Sequence, residues 1–222
     1  MDRRFKDSKG MIMKSVVCFG DSNTYGHNPV NGERLPESIR WPCLLQNLLG
    51  DGFKVIEEGL NGRTTVFDDP NDDWKNGVDY IKGILCTHRP VDYLVIMLGT
   101  NDMKTVYNAS PDEIAAGLNE IVQRAEKVMD LKQGYVPKIL IVSPPEISTD
   151  ILTGPFADSF NEVSIDKSKR LAEYYKRVAD KHGCAFLDAK QYIKPSVEDG
   201  LHLDPAGHKG LAEAVYEAIQ KI

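Results

Sequence analysis

No apolar run in these 222 residues approaches the roughly 20 positions needed to cross a bilayer. Positive charge is in deficit: 27 Lys and Arg stand against 33 Asp and Glu, a formal net charge of -6. That balance excludes a general basic footprint for nucleic acid and offers no polybasic surface to an anionic membrane. Cysteine is sparse and scattered. Cys18, Cys43, Cys86 and Cys184 form no CxxC pair and no Cys/His cluster. The expectation is therefore free, buried thiols in a reducing cytoplasm, with no metal site. The first 13 residues lack the apolar stretch of a secretory signal and read as a flexible leader before a single domain over 14–222. Two nucleotide signatures are also missing. No GxGxxG occurs and no glycine precedes a lysine, so dinucleotide and P-loop sites lack support.

What is present is the balance of a folded globular chain, 41% hydrophobic and 27% charged. Five short β-rich runs, at 15–19, 54–57, 93–98, 138–142 and 185–187, are dominated by Val, Ile, Leu and Phe without clean alternation. Strands covered on both faces of a parallel sheet have that character. Helical patterns separate them. Ser110-Pro111-Asp112-Glu113 reads as a capping box with proline at the first helical position. Ile114, Leu118, Ile121, Val122, Ala125 and Met129 then mark one apolar face. A further helix is expected over 165–182, stopped by Gly183. Others are expected near 39–49, 78–88 and 206–219. Alternating strands and helices make a doubly wound α/β domain. Loops at 25–40, 63–75 and 144–162 are long enough to form pocket walls or subunit contacts.

In such sheets ligands bind beyond the carboxyl ends of the strands. The first strand exits into Gly20-Asp21-Ser22-Asn23-Thr24, the second into Gly59-Leu60-Asn61-Gly62-Arg63-Thr64-Thr65. The third exits into Gly99-Thr100-Asn101-Asp102, and near the C-terminus stands Asp199-Gly200-Leu201-His202. Each alone is ordinary turn and capping chemistry. Together they supply the parts of acyl transfer: a hydroxyl nucleophile, donors for an oxyanion, and an imidazole three residues from a carboxylate. His208 falls at a helix start without such a carboxylate, and His88 and His182 sit at helix ends, where a cation suits the dipole. Thr24 occupies the place of the second glycine of a GxSxG elbow, which argues against the α/β-hydrolase arrangement.

At these residues the sequence resembles the SGNH (GDSL-like) hydrolases. Phe19-Gly20-Asp21-Ser22 is similar to their first block, Asn61-Gly62 to the second, Gly99-Thr100-Asn101-Asp102 to the third, and Asp199 with His202 to the last. A nearer likeness, to the arylesterase/acyltransferase branch, rests on Val55–Leu60, Arg63-Thr64-Thr65, Ile96–Asp102 and Val142-Ser143-Pro144-Pro145. The resemblance implies a three-layer α/β/α, flavodoxin-like sheet of five parallel strands. It also implies a serine esterase for small acyl or aryl esters, with transfer to alcohols or peroxide as a side reaction, no cofactor, and self-association into a homo-oligomer in several members. Ser22, Asp199 and His202 would be the triad; Ser22, Gly62 and Asn101 would form the oxyanion hole. Tyr25, His27, Trp41 and Arg63 are the candidates for the pocket wall, with Trp41 read rather as a core or interface aromatic and Arg63 also as a residue that orients the loop or forms a surface salt bridge. Two positions depart from the pattern. Asn23 replaces the usual leucine, with little effect expected, and Gly62 replaces an alanine of the nearer branch. The same apparatus would also serve a carbohydrate O-deacetylase, a thioesterase or a lysophospholipase, and a binding module on a decayed hydrolase fold is a rival from another class.

Overall fold

The computed structural model describes residues 13–222; the leader expected over 1–13 lies outside them but for Met13. Five strands form one parallel sheet: β1 (Lys14–Gly20), β2 (Phe53–Gly59), β3 (Tyr93–Met97), β4 (Lys138–Ser143) and β5 (Ala185–Asp188). Their spatial order, β2-β1-β3-β4-β5, is the flavodoxin-like doubly wound order. Among the described residues six α-helices accompany them: α1 (Ser22–Tyr25), α2 (Trp41–Leu49), α3 (Gly77–Thr87), α4 (Pro111–Gln133) and α5 (Glu162–His182) between strands, and α6 (Pro205–Gln220) after the last. Among the described residues no helix is long and apolar enough to cross a membrane.

The lack of alternation in the strands is explained by two cores. Side chains alternate across a strand, so successive residues enter opposite layers. Val17 and Phe19 of β1, Leu94 and Ile96 of β3, and Ile139 and Ile141 of β4 pack with α3, α4 and α5. Val16 and Cys18, Tyr93 and Val95, and Leu140 and Val142 pack with α2 and α6.

Helix ends follow local chemistry. The Ser110 and Glu113 capping box opens α4 as expected. Helix α5 begins three residues before the expected start. Asn161 and Ser164 form a second, reciprocal capping box, in which the Ser164 amide donates to Asn161 Oδ1 at 3.1 Å. Helix α6 opens on Asp204, whose Oδ1 accepts from the Gly207 amide at 2.7 Å. That cap fixes the segment immediately before it, where Asp199 and His202 lie.

Candidate active site

The sheet delivers its polar residues to one rim. β1 ends at Gly20, and the chain turns at once into α1, with Ser22 in its first position. The Ser22 amide therefore has no acceptor within its helix. β2 ends at Gly59, pressed so closely on α1 that a Cβ there would stand 2.1 Å from the Tyr25 backbone nitrogen. The following turn is closed by the Arg63 amide donating to the Leu60 carbonyl at 3.1 Å. Within it Gly62 takes φ +80°, the left-handed region where a side chain is strained.

Hydrogen bonds lace this turn to its neighbours. The Gly20 carbonyl accepts from the Leu60 amide at 3.2 Å and from Arg63 Nη1 at 2.9 Å. Asn101, just beyond β3, donates from Nδ2 to the Arg63 carbonyl at 3.1 Å, which leaves its second N–H for a ligand. Asp102 Oδ1 accepts from the Thr65 amide at 2.9 Å and also from the Thr65 hydroxyl. Burial pushes the Asp102 carboxyl up to about 6 despite those bonds to Thr65. Asp21, wholly buried beside Ser22, is likewise pushed up to about 6 by burial, against its bond from the Asn23 amide and the nearby His202.

The C-terminal segment completes the arrangement. His202 Nε2 lies 2.9 Å from Ser22 Oγ, and His202 Nδ1 lies 2.6 Å from Asp199 Oδ2. Asp199 Oδ1 accepts from the amides of Leu201 and His202, both at 2.9 Å. Burial would raise the Asp199 carboxyl, but the bonds and charge of His202 and the two amides outweigh it and hold it below its ordinary value. All three side chains are buried, Asp199 completely. The hydroxyl is thus in contact with a base that a carboxylate orients, the geometry required for nucleophilic attack by serine.

The four pocket candidates separate. His27 belongs to the site: its ring centroid lies 4.1 Å from that of His202. Burial first, and then His202, lower His27 to about 4, so it stays neutral near pH 7. Phe156, which the sequence did not single out, lies on the same imidazole at 5.3 Å; its only signal was its place in the third long loop. Tyr25 stacks on Arg34, with the guanidinium 4.5 Å from its ring centroid, and Arg34 reaches Glu57 at 3.6 Å. Its ring is thereby held towards the β2 edge. Trp41 is not a pocket wall: it is 1% exposed, in the core between the sheet and α2 and α6. Arg63 is not one either. Its buried guanidinium also donates to the Glu58 carbonyl and lies 4.4 Å from the Phe19 ring centroid. It serves the carbonyls of Gly20 and Glu58, at the ends of β1 and β2.

The remaining histidines are placed elsewhere. His208 Nδ1 accepts from the Trp41 amide at 3.3 Å in the core, His88 pairs with Glu58 at 2.6 Å, and His182 pairs with Glu126 at 3.0 Å. Among the described residues, the one His/Asp group close enough to hold a metal ion is His27, Asp199 and His202, with ligand atoms within 4.8 Å. Both His202 nitrogens are already engaged there, one by Asp199 and one by Ser22.

Known proteins share this architecture. The structure of a carbohydrate acetylesterase from Sinorhizobium meliloti is 37% identical, superposes with a TM-score of 0.88, and is matched over 94% of this chain and 99% of that one. The aryl esterase of M. smegmatis is 36% identical, with the same TM-score and coverage. An acetylxylan esterase of Xylanibacter ruminicola is 27% identical over 92% of this chain, which spans only 43% of that protein's length. The model of the GDSL-like Lipase/Acylhydrolase family matches residues 18–209, from the end of the strand before Ser22 to beyond His202, and the chain belongs to that family.

Proposed function

We propose that the protein is a serine esterase that hydrolyses small carboxylic esters through an acyl-Ser22 intermediate. The observation that carries this reading is the continuous relay from Ser22 Oγ to His202 Nε2 at 2.9 Å and from His202 Nδ1 to Asp199 Oδ2 at 2.6 Å. As Oγ attacks the ester carbonyl, its proton passes to Nε2. Asp199 holds the tautomer that leaves Nε2 free and stabilises the imidazolium. The carbonyl oxygen, now negative, is received by the amides of Ser22 and Gly62 and by the free N–H of Asn101. The tetrahedral adduct collapses, the carbon–oxygen bond to the alcohol breaks, and the alcohol leaves with the proton from His202. Water, deprotonated by the same imidazole, then releases the acid; an alcohol in its place makes the step a transfer.

Ser22→Ala should lower the turnover of p-nitrophenyl acetate on the order of a millionfold, as loss of the nucleophile does in other serine hydrolases. It should also abolish labelling by an organophosphonate. Retention of either activity or labelling would remove the assignment. A second reading, removal of acetyl groups from carbohydrate, is supported by the 37% identical carbohydrate acetylesterase structure. Relative kcat/KM on an acetylated sugar and on a short aryl ester decides between them.

A further inference from the structure

One buried polar side chain beside the nucleophile has no part in that scheme. Asn23 is 2% exposed, and its amide spans a segment far away in the chain. Nδ2 donates to the Leu201 carbonyl at 3.4 Å, and Oδ1 accepts from the Leu203 amide at 3.0 Å. Leu201 and Leu203 flank His202. A single side chain therefore holds the backbone on both sides of the imidazole. We infer that Asn23 is a positioning residue that keeps His202 in register with Ser22 during deacylation. This inference rests on the esterase reading above.

The reason lies in what the reaction does to the other link. The turn that carries Ser22 and the segment 199–203 are joined, among the described residues, by the Ser22–His202 hydrogen bond and by the Asn23 pair. The first link is lost in every cycle. Once acylated, Ser22 Oγ is an ester oxygen with no proton to donate. Nε2 must then take a proton from water while the water oxygen bonds to the acyl carbon. As the carbon–Oγ bond breaks, Oγ recovers the proton from His202. Asp199, and the Ser196 amide three residues before it, which donates to the His202 carbonyl at 2.7 Å, belong to the same C-terminal stretch as His202. They orient the imidazole within that segment but do not tie it to Ser22. The Asn23 amide does, and it is untouched by the chemistry.

The test uses the full chain, p-nitrophenyl acetate and rapid mixing. Asn23→Leu keeps the size and removes both bonds; Asn23→Asp keeps an acceptor for the Leu203 amide. Asn23→Leu should slow deacylation roughly 10- to 100-fold, the scale of a misplaced catalytic group. Because acylation still has the serine hydrogen bond to guide it, kcat and KM should fall together and kcat/KM should hold. An acyl-enzyme burst of about one per site should accumulate, and Asn23→Asp should show the same pattern more weakly. In a His202→Ala background, Asn23→Leu should have no further effect. Wild-type kcat in the variants, or a parallel loss of kcat and kcat/KM, overturns the inference. If Asn23→Leu does not fold, Asn23→Asp carries the same comparison. Absence of an acyl-enzyme and of Ser22 labelling in the wild type would instead sink the esterase reading.

Discussion

The carboxylate of Asp199 meets His202 twice, once at the ring and once at the backbone. Oδ2 lies 2.6 Å from Nδ1, and Oδ1 accepts the residue's own amide at 2.9 Å. One side chain thus fixes both the tautomer of the imidazole and the backbone that carries it.

Asp199→Asn separates these roles. The amide oxygen still accepts the two backbone N–H groups, so the fold should survive. The NH2 group now faces Nδ1 and favours the tautomer with the proton on Nε2, which cannot accept from Ser22. The expected fall in kcat is on the order of 10,000-fold. Steady-state kinetics and a thermal melt, together, check that activity is lost without the fold.

Asn101→Ala removes the one side-chain donor proposed for the oxyanion. Turnover should drop by roughly a hundred- to a thousandfold, about 2.7–4 kcal/mol of barrier. The lost bond to the Arg63 carbonyl, 3.1 Å in the wild type, also loosens the Gly62 turn. KM should therefore rise as well, measured with p-nitrophenyl acetate. An effect on KM alone would argue that the amide serves only the loop.

At Gly62 the nearer branch suggested alanine, and the structure gives a reason for glycine. The residue sits at φ +80°, and a methyl there would stand 3.0 Å from Cδ and Cε of Lys75. Lys75 is held by Asp69 at 3.3 Å and Asp72 at 2.5 Å, so it does not yield freely. Gly62→Ala should cost about 1–2 kcal/mol of stability from the backbone conformation. The midpoint of a urea titration reads this directly.

His208 makes stability depend on pH. It is fully buried, and burial lowers it from 6.5 to about 4. Its unfolded form binds a proton first, so its contribution is present above 6.5 and lost as pH falls towards 4. Asp21 and Asp102, both raised to about 6 by burial, act in the opposite sense over the same range. The His208 share is isolated by comparison with His208→Gln. Between pH 7.5 and 5 the wild type should lose about 2 kcal/mol more than the variant in urea unfolding.

The strands, the doubly wound α/β class and the four polar segments at the strand exits were legible because each depends on local pattern, whereas the flavodoxin-like sheet was implied by the family resemblance. An apolar run, a capping box or a glycine before a serine carries its meaning within a few residues. Side-chain direction does not. Trp41 follows a long loop, and Arg63 follows the Gly62 turn. Both were candidates for the pocket by proximity, with a core place also open to Trp41 and a loop-orienting one to Arg63, and the core takes one while the carbonyls of Gly20 and Glu58 take the other. Asn23 shows the same limit from the other side. Its replacement of leucine looked neutral, because its partners lie 178 and 180 positions away.

That separation also governs when the enzyme exists as an enzyme. β1 lies inside the sheet between β2 and β3, and the hydroxyl stands on the turn that follows it. The imidazole stands beyond β5, in the residues before α6, so the Ser22–His202 pair exists only where that segment is docked on the turn after β1. On the proposed chemistry, partly assembled chains are silent towards esters, and the appearance of turnover during refolding times the closing of the last segment upon the first.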